Sequence, residues 1–228
     1  VLAIIVFALL VKEKARSPYQ DKEHPGEVLR ASVFKDHVFW VFLAMCLITG
    51  ILFFQLFTTI PIYHKEQFNL TELQTGLLLT LNGVLVFFLE MPIVSYIEKN
   101  NFNRLKIVVF GCLAMAISLF LMMVNFWAGI LIVMMLFMTF GEMFAFPFAN
   151  SFAMSRAPKG HEGRYMAIFT MSYSLAHILS AKTGMQLIEN FGYQTNWFFM
   201  GSLGLVGFLL GIYALKLVKE EKKPVQKV

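Results

Sequence analysis

Glu142 stands inside TFGEMFAFPFANS, residues 139–151, and the thirty-five residues before it, Ile107 to Gly141, contain no Asp, Glu, Lys or Arg. A carboxyl group in such surroundings favours its neutral acid or a bound cation, so it can exchange a proton or hold a cationic substrate. Its structural alternative is to pin a neighbouring helix. Glu90 is a second acid in an apolar run, closer to the end of that run. His177 follows Tyr173 by four residues, and Ser180, Ala181 and Gly184 continue the same helical face with small side chains. This pair can line a cavity, with His177 as a pH-sensitive contact, or it can bond to a neighbouring helix. Gln55 and Asn82 are uncharged amides in apolar runs, suited to binding substrate but more often used as glue between helices. Abundant Phe and Met can shape an adaptable apolar cavity, although most must fill the bundle or face lipid.

Other chemistries find no support. His, Cys and carboxylates do not recur at metal-ligand spacing. No phosphate loop ends in Gly-Lys-Ser/Thr, and no Gly-x-Ser-x-Gly elbow occurs. The expectation is a protein that is not an enzyme and needs no cofactor or metal. No compact basic face alternates with aromatic platforms, so nucleic acid is not an expected partner. Cys46 and Cys112 form no disulfide framework.

These residues sit in a chain of 228 residues that is 58% hydrophobic and 14% charged. Soluble domains carry about 25% charged residues, so the composition indicates a membrane protein. Charges punctuate the sequence. There are 28 residues without Asp, Glu, Lys or Arg between Asp36 and Lys65, 17 between Glu72 and Glu90, 17 between Arg164 and Lys182, and 26 between Glu189 and Lys216. A hydrocarbon core about 30 Å thick takes roughly 20 residues of helix. The 35-residue run suits two helices joined near Asn125, Trp127 and Gly129. The spacing predicts six membrane helices over 38–62, 73–97, 105–124, 127–152, 164–188 and 195–216. Helices are expected because each satisfies its own backbone in lipid, and the runs lack the alternation of a barrel. Pro61, Pro92 and Pro147 fall in or near these helices, and Pro147 can bend its helix beside Glu142. Gly207 and Gly211 form a small-xxx-small pair for close helix approach. Phe126, Trp127, Tyr193 and Trp197 are expected to anchor hairpins at the headgroup level.

If residues 12–37 are cytoplasmic, seventeen Lys and Arg fall on the cytoplasmic side and only Lys65 and Lys182 on the other. The positive-inside rule then places the connector and the C-terminal tail in the cytoplasm. The net charge of +5 reports this topology and contact with anionic lipid. Residues 1–11 read as the end of a truncated transmembrane helix, 12–37 as a cytoplasmic connector, 38–216 as the bundle, and 217–228 as a basic tail; residues 28–39 read either as a short amphipathic stretch at the membrane surface or as part of a solvated loop that only joins two bundles. The chain is therefore expected to be part of a longer protein.

Several stretches resemble one family. GLLLTLNGVLVFFLEMP, residues 76–92, is similar to the eighth helix of major facilitator superfamily transporters of the drug/proton antiporter type. GEMFAFPFAN, residues 141–150, followed by RAPKGHEGRYMAIF, residues 156–169, resembles their tenth helix and the loop into the eleventh. IENFGYQTNWFFMG, residues 188–201, resembles the hairpin between helices eleven and twelve. In VSYIEKNNFNR, residues 94–104, Glu98, Lys99 and Arg104 keep the charges of the family's loop motif, while Val94 and Asn101 stand where the family often has glycine. The resemblance implies an all-α bundle equivalent to helices 7–12 of a twelve-helix transporter, with a missing N-terminal six-helix half as partner. It implies that Glu98, Lys99 and Arg104 form a cytoplasmic gate, the alternative being a loop that only obeys the charge rule. The function expected is secondary transport in a bacterial-type inner membrane: proton-coupled export of small amphipathic or cationic compounds by alternating access, as in multidrug efflux. Proton symport of a small metabolite or peptide is the alternative within transport. A non-transporting scaffold or sensor on the same bundle is the alternative outside it. Glu142, His177, Tyr173, Gln55, Asn82 and Glu90 are the expected substrate or proton-coupling residues.

Overall fold

The computed structural model describes residues 33–124 and 127–221. The expectations for residues 1–11, for most of the connector and for the end of the basic tail lie outside them. Among the described residues the chain is helical: α1 His37–Phe54, α2 Thr59–Phe68, α3 Glu72–Lys99, α4 Arg104–Leu121, α5 Ile130–Arg156 and α6 Glu162–Glu221, after a short 3-10 turn at Val33–Lys35.

The first predicted span, 38–62, is two helices in tandem. Pro61 has no amide hydrogen to donate back to the preceding turn, and its ring crowds the carbonyl of residue 57. The break falls just before it. The Gln55 carbonyl instead accepts from the amides of Thr58, Thr59 and Ile60 at 3.3, 3.2 and 3.0 Å. α2 ends on Asn69 in the left-handed region, and α3 starts with a capping box between Thr71 and Gln74. The α3–α4 connection is tight despite lacking glycine. Asn101 takes φ 52°, a conformation asparagine tolerates better than other side chains, and Asn103 caps α4 by accepting from the Lys106 amide at 3.2 Å.

α6 is sixty residues of helix interrupted at Gly192, where φ is 81° and ψ 172°. A straight helix of that length would measure about 90 Å, far more than one membrane. Its two ends lie together: Tyr165 and Glu221 both belong to one polar cluster around Asp36 and Arg156. The chain therefore reverses at Gly192, giving arms 162–191 and 193–221 and six crossings among the described residues. The spans agree with the charge intervals to within a few residues, apart from the break in the first.

The centre of the bundle is α1, α4, α5 and both arms of α6. α4 and α5 meet backbone to backbone: a Cβ on Gly111 would lie 2.8 Å from the Gly141 carbonyl oxygen, and one on Gly141 would lie 2.9 Å from that of Gly111. On the second arm of α6, Gly201, Gly204, Gly207 and Gly211 are all buried, and they meet Phe120, Ala116, Cys112 and Val109 of α4 in turn. This is the close approach that small residues permit in lipid. Apolar side chains fill the rest in two clusters, one around Leu52, Met115 and Trp197, the other around Phe42, Val108 and Phe148. Trp197 is fully buried, with its ring 5.2 Å from that of Tyr63. It serves as core, whereas the sequence suggested an interfacial anchor; Trp127 is exposed, as an anchor requires. Cys46 and Cys112 are buried free thiols.

α3 stands apart. It packs on α5 and touches α2, and only Thr75 and Asn82 of its twenty-eight residues are buried.

Candidate functional site

Glu142 lies near the middle of α5, directly after Gly141, whose contact with α4 fixes the rotation of the helix. Glu142 consequently sits beside α3. There the Asn82 side-chain nitrogen donates to Glu142 Oε2 at 2.9 Å and to Thr139 Oγ1 at 3.0 Å. Thr139 Oγ1 in turn donates to the Met135 carbonyl at 2.7 Å. Both amide hydrogens of Asn82 are thus committed. The Glu142 carboxyl receives one of them and keeps its second oxygen without a hydrogen bond among the described residues. Sequence reasoning named both residues; the structure joins them across sixty positions of chain.

Glu90 follows Asn82 by eight residues on α3, about 12 Å along the helix, and lies within electrostatic reach of Glu142. It is half-buried and lines a pocket of about 390 Å³ with Phe146, Pro147, Asn150, Phe169 and Tyr173. Phe146 and Asn150 follow Glu142 at four and eight residues, so the pocket continues along the same face of α5. The helix runs on through Pro147, which forms part of the wall. The Tyr173 ring stands edge-on to Phe146 and Phe169, with centroids 5.4 and 5.2 Å away. Its hydroxyl is buried and has no hydrogen-bond partner among the described residues. Such a group costs about 1–3 kcal/mol unless water or a ligand meets it.

His177 does not join this pocket. It is exposed on the first arm of α6, one turn from Tyr173, with its ring 4.6 Å from that of Phe54. Gln55 is committed elsewhere too. Fully buried at the break between α1 and α2, it donates to the Ser180 carbonyl at 3.0 Å and Oγ at 2.8 Å, and accepts from Thr59. Ser180 Oγ in turn donates to the Ile51 carbonyl at 2.8 Å. Every polar atom of the Gln55 side chain is used in holding α1 to α6, so its geometry is that of packing.

Glu98, Lys99 and Arg104 are exposed, and none forms an ion pair among the described residues. The ion pairs at this end lie on residues that sequence reasoning passed over. Arg156, at the end of α5, reaches Asp36 through Nε at 2.8 Å and Nη2 at 2.7 Å, and Glu221 through Nη1 at 2.5 Å and Nη2 at 2.8 Å. Asp36 also caps α1, accepting from the Phe39 amide at 3.0 Å, and accepts from the Tyr165 hydroxyl at 3.2 Å. Burial alone would raise the Asp36 carboxyl, but the Arg156 guanidinium, the Phe39 amide and the Tyr165 hydroxyl together hold it below its ordinary value. The clamp closes one end of α1, α5 and both arms of α6. A sequence signal existed in Asp36, the acid before a long apolar run, yet nothing in spacing pairs it with an arginine 120 residues away.

The arrangement is a polar seam at bilayer depth, on a helix that is barely packed among the described residues, above a small aromatic pocket. Comparisons with known proteins bear on the fold and the family. A Na(+), Li(+), K(+)/H(+) antiporter of Planococcus maritimus is 26% identical over 192 residues, 78% of this chain and 45% of that protein. The MFS-type transporter YttB of Bacillus subtilis (strain 168) is 26% identical over 136 residues, 59% of this chain and 34% of that protein. Two solved structures share the fold at 20% identity: a POT family transporter in complex with 5-aminolevulinic acid has a TM-score of 0.68 over 82% of this chain and 41% of its own. A second, in complex with a thioalcohol-conjugated peptide, has a TM-score of 0.64 over 97% and 46%. The chain spans less than half the length of each of these proteins. The sequence pattern of the Major Facilitator Superfamily matches residues 1–181, and the chain belongs to that family of multi-pass membrane transporters.

Proposed function

We propose that this chain is the helix 7–12 half of a proton-coupled antiporter that exports small cations or cationic amphipathic compounds across the inner membrane, and that Glu142 is the group that exchanges a proton for substrate. The observation that carries the reading is the Asn82–Glu142 bond, a carboxyl at bilayer depth held by one amide with an oxygen left over. An uncompensated charge there costs about 2.5–3.5 kcal/mol, so the carboxyl is best served by a proton or a bound cation in alternation. Glu90, Tyr173 and Phe146 form the adjoining pocket, and His177 is a peripheral contact on the cavity side. The relative from Planococcus maritimus is named for exchange of alkali cations against protons, which supports antiport and puts inorganic cations among the substrates to test. The basic end, with Lys99, Arg104 and Lys106, faces the cytoplasm by the charge rule, and Glu98, Lys99 and Arg104 stand at the cytoplasmic mouth. An N-terminal half packs on α3 and on the first arm of α6, where Phe87, Phe88, Met91, Met171 and Ile178 are exposed. Rocking of the two halves gives alternating access.

The test uses full-length protein in liposomes carrying an internal pH reporter, challenged with Na+, K+ or ethidium. Wild type moves protons opposite to the cation, and Glu142→Gln removes that coupled movement. Proton movement in the same direction as a transported solute, or unaltered coupling in Glu142→Gln, overturns the reading.

A further inference from the structure

Another pocket lies away from Glu142. It measures about 640 Å³ and is walled by the last two turns of α3, the first two turns of α4 and Phe144 of α5. α3 and α4 are consecutive, yet they splay apart below their tight turn and make no sizeable contact. The walls are apolar and aromatic, among them Ile93, Tyr96, Phe102 and Phe110. Tyr96 is 65% and Phe102 54% exposed, so no other part of this chain covers these rings. Asn103 and Lys106 are the polar groups at the rim.

The charge around the mouth is one-sided. Lys99, Arg104 and Lys106 fall within eight positions against a single Glu98, and none of the three is ion-paired among the described residues. Lys106 Nζ lies 6.0 Å over the Phe110 ring, which holds the ammonium against the pocket wall. Glu98, Lys99 and Arg104 make no ion pair with one another among the described residues. An apolar slot at the end of two membrane helices with free cations at its mouth complements an amphiphile with an anionic head. At that depth the bilayer itself supplies such molecules at high local concentration, and basic pockets between membrane helices bind anionic headgroups.

We infer that the cleft between the end of α3 and the start of α4 is a binding site for one anionic phospholipid, with an acyl chain against Ile93 and Phe110 and the phosphate at Lys106. The proposal gives the basic residues of 99–106 a ligand, and it does not depend on the role of Glu142. The volume lies within the roughly 300–1,000 Å³ of ordinary ligand sites.

Native mass spectrometry of the full-length protein in neutral detergent tests it, with dioleoylphosphatidylglycerol and dioleoylphosphatidylcholine as probes. One phosphatidylglycerol is retained in preference to phosphatidylcholine. Lys106→Gln, on an exposed side chain that leaves the fold intact, weakens phosphatidylglycerol about fivefold, as one basic residue near an anionic surface contributes. Ile93→Trp fills the slot and loses lipid of either headgroup, with thermal unfolding checking that it remains folded. Lys182→Gln, at the other end of the bundle, changes nothing. Equal retention of the two lipids, or Lys106→Gln behaving like Lys182→Gln, overturns the site.

Discussion

The first span and α3 are apolar runs of the same kind, but they are used in opposite ways. More than half of the apolar stretch of α1–α2 is buried, 56% against 6% for α3. α1 is held by the Gln55–Ser180 bonds, by aromatic packing and by the clamp at Asp36. α3 is held at mid-depth by one amide, Asn82. Close packing leaves a helix no freedom to change partners, so the rigid group carries the framework. The loosely held helix carries Asn82 and Glu90, and it presents the apolar face that a second half can cover. The proposed exchange at Glu142 lies where these two regions touch.

The largest effect in the framework is expected at the clamp. Arg156→Leu leaves Asp36 and its neighbours without their cation, and breaking a largely buried pair costs roughly 3 kcal/mol. Thermal unfolding of the full-length protein in detergent reads this as a large loss. The same cluster sets an acid limit. Because the folded Asp36 carboxyl sits below its ordinary value, its contribution is complete above the unfolded pKa of about 3.9 and is lost as the pH falls through the lower folded value. Asp36→Asn is less stable near neutrality and lacks that acid-dependent loss.

Next comes Ser180→Ala, which leaves the buried Gln55 amide short of one partner. It should cost about 1–2 kcal/mol of stability while transport by the remaining folded protein persists, separating packing from substrate contact. Transport lost without loss of stability would move Gln55 into the site.

The smallest change in stability, and the most informative, is Asn82→Leu. Bonds of this kind between membrane helices contribute about 0.6–2 kcal/mol, so unfolding shifts little. Hydrogen exchange should rise in α3 and stay level in α1 and α4. A uniform rise would erase the distinction between the regions.

How far the sequence disclosed this follows from what lipid forbids. Charges cannot remain in hydrocarbon without compensation, so their intervals marked six crossings, and Glu142 stood out for the same reason. Asn82 was visible as a polar residue in an apolar run. Its bond to Glu142 was not, because the two lie on helices that are not consecutive, and rotation about each axis is set by contacts such as Gly111 on Gly141. Pro61 signalled the break in the first span, but its position near the predicted end hid it. Arg156 was counted only as a topological charge, and its partners at 36 and 221 come together through the whole path of the fold. Trp197 shows the opposite error: aromatic residues near a turn suit an interface, and only the packing of α2 and α6 buries this one.

The most direct measurement is the infrared difference spectrum of full-length protein on adding a transported cation. The account predicts that the carbonyl band of a buried protonated carboxylic acid disappears as the cation binds, and that Glu142→Gln lacks the band while Glu98→Gln keeps it. A band that survives cation binding, or that is unchanged in Glu142→Gln, contradicts the exchange of proton for substrate at Glu142.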